Sequence, residues 1–234
     1  EVEKSANSIA KKISAEEIKN RLDLRKTITF TIDPKDAKDF DDALSVKKLN
    51  NGNWEIGVHI ADVSHYVKKG GIIDKEAVER ATSVYLVDRV IPMLPEILSN
   101  NICSLKPNVD RLAYSVLFEM DEKANLVDYK IAKTVIHSDV RFTYQTAQDV
   151  IDNKKGELSV ELLLLDKLSK VLRIKRQKKG SINFESTEVK FILDKDNNPI
   201  DVYFKESLST NHLIEEFMLL ANKTVAKHIG FPKK

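Results

Sequence analysis

The chain has 234 residues, 42% hydrophobic and 32% charged, enough to bury a substantial core, which excludes both a disordered polymer and a chain built for the bilayer. Its 38 basic residues nearly cancel 36 acidic ones, so net charge does not announce a nucleic-acid partner, and any such partner must be read from local pattern. A single cysteine, Cys103, rules out an intramolecular disulfide and thiolate metal clusters.

The chain opens without methionine on the lysine-rich helical pattern EVEKSANSIAKKISAEEIKNR. Residues 1–20 read as a lead-in to a main unit over 21–234, and the whole as a piece of a longer protein. KTITFTI is β-branched and ends at Pro34, as a strand does. ALSVKKL and NWEIGVHIADV flank the turn NNGN and predict a hairpin. The spacing of Ala77, Val78, Ala81 and Val84 or Tyr85 predicts a helix from Asp74 to about Leu86. An irregular, proline-rich segment, VDRVIPMLPEILSNNICSLKPN, follows. RLAYSVLFEM, DEKAN and LVDYKIAKTVIHSDVRF then predict a second hairpin with antiparallel pairing. TYQTAQDVIDN predicts a short helix, and SVELLLLDKLSKVLRIKRQKKG a long one, basic toward its end and stopped at Gly180. SINFESTEVKFIL and PIDVYFKES bracket the turn DKDNN. Ser209 or Thr210 is expected to cap a final helix that buries Leu213, Ile214, Phe217, Met218, Leu220 and Ala221. The sum is an α+β fold, a mixed, largely antiparallel sheet with packed helices.

No apolar run approaches the roughly 18 residues of a spanning helix, and no signal-peptide pattern is present. No membrane partner and a cytoplasmic location are expected. The seven glycines form no Walker or dinucleotide arrangement, so no nucleotide cofactor is expected. His59 and His65 read as structural histidines. The run RIKRQKK, residues 173–179, reads first as a charge complement to a helix C-terminus and second as a phosphate-contacting rim.

The stretch TIDPKDAKDFDDAL places Asp33, Asp36, Asp39, Asp41 and Asp42 in ten positions between two strands. Confined carboxylates repel and raise one another's pKa unless cations or donors compensate. A solvated acidic turn, partly neutralised by Lys35 and Lys38, is one reading. The other is a divalent-ion site: hard oxygen ligands without histidine or thiolate select Mg²⁺, with Mn²⁺ as an alternative. Two such ions about 4 Å apart would polarise a phosphodiester and stabilise its leaving oxygen.

The motifs RLDLRKTITFTIDPKDAKDFDDALSV, GVHIADVSHYV, RATSVYLVDRVIPMLPEILSNNICSLKPNVDRLAYSV and HLIEEFMLLAN resemble the catalytic RNB domain of the RNase II and RNase R exoribonucleases. The bacterial RNase R branch is the closer match, and the likeness runs from Arg21 to Ile229. The resemblance implies a processive, Mg²⁺-dependent hydrolase that degrades single-stranded RNA from the 3′ end to 5′-nucleoside monophosphates. It implies metal ligation and catalysis by Asp33, Asp39, Asp41 and Asp42, with Asp36 set aside. It further implies RNA contacts by Tyr85, Tyr144, Phe184 and Glu215, the last preferred over Glu216. Family members carry flanking OB-fold domains and an arginine motif of the type SPIRRY beyond the matched region. The whole protein is expected to be monomeric, and this stretch alone weakly active or inactive. A non-catalytic RNA-binding module on the same scaffold, or a protein-interaction domain with an acidic turn, are the competing readings.

Overall fold

In the computed structural model, residues 1–181, 188–196 and 198–230 are described. They form, in chain order, α1 (Val2–Asn7), α2 (Ala15–Lys19), β1 (Leu22–Asp23), β2 (Thr29–Asp33), β3 (Asp42–Lys48), β4 (Trp54–Ala61), α3 (Val63–Tyr66), α4 (Ile72–Arg80), β5 (Val84–Tyr85) and β6 (Val90–Ile91). A π-helical turn at Leu98–Ile102 leads to β7 (Asp110–Met120), β8 (Leu126–His137), β9 (Val140–Thr143), α5 (Tyr144–Asn153), α6 (Ser159–Lys178), β10 (Glu188–Leu193), β11 (Pro199–Lys205) and α7 (Ser209–Gly230).

Turn chemistry builds the centre of the sheet. Gly52, at φ +88, closes the β3–β4 hairpin, and Asp121 accepts from the amides of Lys123 and Asn125 to close β7–β8. The seven strands lie in the order β1-β8-β7-β4-β3-β2-β9, and the four middle ones, β8, β7, β4 and β3, are antiparallel. The sheet is mixed at its edges. One continuous strand through SDVRF is the sequence expectation, but the chain breaks after His137. Asp139 takes the Thr29 amide on its carboxylate and donates its own amide to the Thr29 carbonyl. That exchange carries β9 across to pair in parallel with β2, as β1 pairs in parallel with β8.

Strand alternation sends side chains to two cores. Phe30, Leu44, Val58, Val116 and Phe118 pack under α5, α6 and α7 through Ala147, Leu162, Leu165, Leu213 and Phe217. On the opposite face Ala43, Ala61, Ala113, Leu117 and Ile136 pack under the π-helical turn and α1 through Leu98, Ile102 and Ala6. Of the six positions expected to be buried on the final helix, Leu213, Ile214, Phe217 and Ala221 are buried, while Met218 and Leu220 are half-buried against the same core.

Two local expectations fail. The helix predicted over 74–86 runs from Ile72 to Arg80, because Ala81 takes φ +61 and ends it. Val78 is exposed, and Val84 and Tyr85 belong to a small β5–β6 ribbon instead. Ser209 and Thr210 do not cap α7 but lie in its first turn. The Ser209 hydroxyl donates to Gln148 Oε1 and the Thr210 hydroxyl to the Tyr144 carbonyl, so both fasten α7 to α5.

A polar ladder crosses the buried sheet. His59 bonds Ser115 Oγ through Nδ1 at 2.7 Å and Ser45 Oγ through Nε2 at 2.8 Å, and Ser115 continues to Thr134 Oγ1 at 2.6 Å. Burial pushes the imidazole pKa down to about 3, so the ring is neutral and structural. Gly57 leaves room for it: a Cβ there would meet His59 Nε2 at 2.6 Å and Ser45 Oγ closer still. Gly57→Ala is therefore expected to destabilise the fold by about 1–3 kcal/mol, read as a lowered urea midpoint with unchanged slope.

Candidate active site

The acidic stretch is held at both ends by strands. Asp33 is the last residue of β2 and Asp42 the first of β3, and these strands pair through Thr29↔Ser45 and Phe30↔Leu44. The loop between them is fixed by its backbone. Ser104, fully buried, accepts from the Phe40 amide at 3.0 Å and donates to the Lys38 carbonyl at 2.9 Å, so one hydroxyl straddles Asp39. The Leu105 amide donates to the Phe40 carbonyl, and the Ala61 amide to the Asp41 carbonyl. Arg141 Nη2 donates to the carbonyls of Pro34 and Lys35, while its guanidinium lies 5.5 Å from the centre of the Phe40 ring. Next to Ala61, Asp62 is locked in a buried ion pair with Arg21 at 2.7 Å.

This frame confines charge. Burial, then Asp33 and Asp41, push the Asp42 carboxyl up to about 7. Burial pushes Asp33 to about 6, with the Thr31 hydroxyl and then Arg141 opposing it in part and Asp39 and Asp41 adding to it. Asp41 is raised by burial and by Asp39. Asp33 Oδ2 is buried without a well-formed hydrogen bond, and the neighbouring Thr31 hydroxyl offers this carboxyl only a weak one. An orphaned carboxylate oxygen among mutually repelling carboxylates is the arrangement a cation relieves.

Asp39 and Asp41 line a groove of about 800 Å³ together with Asp36, Lys38, Ile60, Tyr85, Arg89 and Met93. Tyr85 stands on β5 with 69% of its surface exposed. Its hydroxyl pKa lies above the ordinary value through partial burial and the charges of Asp39 and Asp41, which places the ring beside the loop. Tyr144 opens α5 on the other side. Burial, then Asp42 and Asp33, push its hydroxyl up to about 12. Tyr85 thus shares a groove with Asp39 and Asp41, while Tyr144 follows Thr143, the strand partner of Asp33.

The other two expected contacts are Glu215 and Phe184. Glu215 carries an exposed side chain and pairs with Arg176 at 3.0 Å. Its neighbour Glu216 is only 3% exposed and takes the same guanidinium at 2.6 Å, fastening α7 to α6. That pair, with Lys175 Nζ on the carbonyls of Lys123 and Ala124, gives the basic run 173–179 tertiary contacts besides its place at the helix end. Phe184 lies outside the described residues. Ser104, Arg141 and Arg21, which position the loop, carry no sequence signal of their own.

The donor chemistry fits a hard divalent ion, being four carboxylates with no soft ligand. Among the described residues no three His, Cys, Asp or Glu side chains converge on one cation position. Mg²⁺ suits such a spread arrangement, since it is commonly held by one or two carboxylates and completes its shell with water and phosphate oxygens. Without a cation the raised carboxyls bind more protons folded than unfolded between about pH 4 and 7, so their contribution to stability falls as pH rises through that window. In chelator, Asp42→Asn is expected to be more stable than the parent at pH 7.5 and to lose less stability between pH 5 and 7.5, measured by urea unfolding.

Residues 21–233 match the RNB domain family. The chain is 46% identical to the ribonuclease R of Thermotoga maritima, over 99% of its own length and 34% of that protein. It is also 46% identical to the human exosome complex exonuclease RRP44, over 93% of its length and 23% of that protein. The fold superimposes on the RNase R of Mycoplasma genitalium, solved in complex with ribose-methylated single-stranded RNA, with a TM-score of 0.89, 34% identity, and coverage of 96% of this chain and 36% of that one. The chain thus spans about a quarter to a third of the length of these relatives, and it belongs to the RNB domain family.

Proposed function

We propose that the chain is the acidic-loop portion of the catalytic domain of a processive 3′-to-5′ exoribonuclease, which hydrolyses single-stranded RNA to 5′-nucleoside monophosphates with Mg²⁺, or Mn²⁺ in its place. The observation that carries this is the loop itself: Asp33, Asp39, Asp41 and Asp42 in one stretch whose backbone is clamped, with the carboxyls of Asp33, Asp41 and Asp42 raised and the buried Asp33 Oδ2 without a well-formed hydrogen bond. The family membership and the RNA-bound relative support the same reading. A bound divalent pair supplies electrophilic stabilisation of the phosphodiester.

The chain's own residues do the rest. Asp33, Asp39, Asp41 and Asp42 would hold the ions, whose charge would in turn orient the scissile phosphate. Tyr85 and Tyr144 offer ring faces at the loop, and stacking on a ring accepts any base, as processive degradation requires. Glu215 is the polar contact further along the RNA, and it must exchange its Arg176 partner for the nucleotide. Ser104 and Arg141 act through the loop and are positioning residues. Activity is assigned to the whole protein, a cytoplasmic monomer with flanking OB-fold domains, while residues 1–234 alone are weakly active or inactive.

A purely RNA-binding module on this scaffold is disfavoured, because concentrated negative charge facing phosphate weakens binding unless cations intervene. In the full-length protein, Asp41→Asn is expected to lower Mg²⁺-dependent release of 5′-nucleotides from labelled single-stranded RNA by about a hundred-fold or more; unchanged cleavage sinks the catalytic reading. Ser104→Ala is expected to raise the Mg²⁺ concentration needed for half-maximal rate, with Mn²⁺ affinity by calorimetry falling in parallel.

A further inference from the structure

The row of directly opposed residues that begins at Asp42 continues across three more strands. Asp42 faces Ile60, Ile60 faces Tyr114, and Tyr114 faces Lys133. Opposed residues share one face of a sheet, so these four side chains stand in line on the face that carries the helices. One step inward, Leu44, Val58, Val116 and Ile131 pack into the core beneath α5–α7. The row at Asp42 lies beyond that cover: Ile60 is 42% and Tyr114 46% exposed, and Lys133 is exposed. With neighbouring strands about 4.8 Å apart, Tyr114 stands about 10 Å and Lys133 about 14 Å from Asp42.

Ile60 also lines the groove that holds Asp39, Asp41 and Tyr85, so the row continues that groove over the end of the sheet. Its chemistry is an aliphatic floor, then an aromatic ring, then a cation. We propose that Ile60, Tyr114 and Lys133 form a further subsite for single-stranded RNA, in which a base stacks on Tyr114 and the adjoining phosphate meets Lys133. This rests on the reading that the acidic loop acts on RNA. A protein partner fits less well, since a single row of side chains is far narrower than the roughly 800 Å² that each side of a stable protein interface buries. A nucleic-acid strand matches that width, gains about 1–3 kcal/mol from each base stacked on a ring, and finds its charge complement at the row's end.

The test uses the full-length protein and a fluorescein-labelled oligoadenylate, with binding measured in chelator and cleavage in Mg²⁺. Tyr114→Ala is expected to weaken oligonucleotide binding about 5- to 150-fold, raising KM while kcat stays near the parent value. Tyr114→Phe, which keeps the ring, should restore binding, and Tyr114→Leu, which keeps bulk without a π-face, should not. Lys133→Gln is expected to reduce the salt slope of binding by about one, and RNA bearing 5-iodouridine should crosslink to Tyr114. Parent affinity in a folded Tyr114→Ala protein, or absence of the crosslink because another part of the polypeptide or a partner covers the row, overturns the subsite. The two readings fail separately: loss of binding in Tyr114→Ala with cleavage intact in Asp41→Asn removes the catalytic assignment alone, and the converse removes the subsite alone.

Discussion

Like charge held in one place is the constraint on which the structure turns. Left free, the carboxylates of the acidic loop would separate and stay ionised. They are kept together because the loop's carbonyls and amides are spoken for by groups outside it: Ser104 and the Leu105 amide on one flank, Arg141 on another, the Ala61 amide on a third. The repulsion is opposed by hydrogen bonds to backbone, which leaves the carboxylate oxygens unspent. The raised Asp33 and Asp42 carboxyls mark that unspent capacity.

The two faces of the sheet divide the work. The helix-covered face supplies ordinary apolar packing, whereas the opposite face carries the Ser45–His59–Ser115–Thr134 ladder and the ion pair of Arg21 with Asp62. Buried polar networks of this kind tolerate few alternative arrangements, because each displaced member leaves another unsatisfied. Rigidity therefore reaches the loop from behind: Asp62 is fixed by Arg21, Ala61 adjoins it, and the Ala61 amide holds the Asp41 carbonyl. The first residue of the family match, Arg21, is in this sense part of the site's frame.

What the sequence made legible is what short range determines. The β3–β4 and β7–β8 hairpins were readable because NNGN and DEKAN carry their turn chemistry locally, and α7 because its apolar spacing is strict. The acidic loop was readable as a site because charge density is itself a local quantity. Helix α4 was read too long because nothing local marks Ala81 for φ +61, and β-branched Val84 fits a strand or a helix edge equally until its partner Ile91 is known. The parallel pairings β1–β8 and β2–β9, the clamps Ser104 and Arg141, and the anchoring of Glu216 by Arg176 all join residues 40 or more positions apart. Such pairings leave no periodic trace in either partner.

The strand switch at Asp139 governs when the site can exist. Thr29 waits for a partner 110 residues downstream, and β2, which ends in Asp33, is completed only when β9 arrives in parallel beside it. Closing so long a loop is slow and is rewarded only after the intervening hairpins have formed. The β3–β4 and β7–β8 hairpins close locally, whereas the parallel pairing that completes the strand ending in Asp33 needs residues up to Thr143. The frame of the acidic loop is therefore among the last parts of the sheet to be completed.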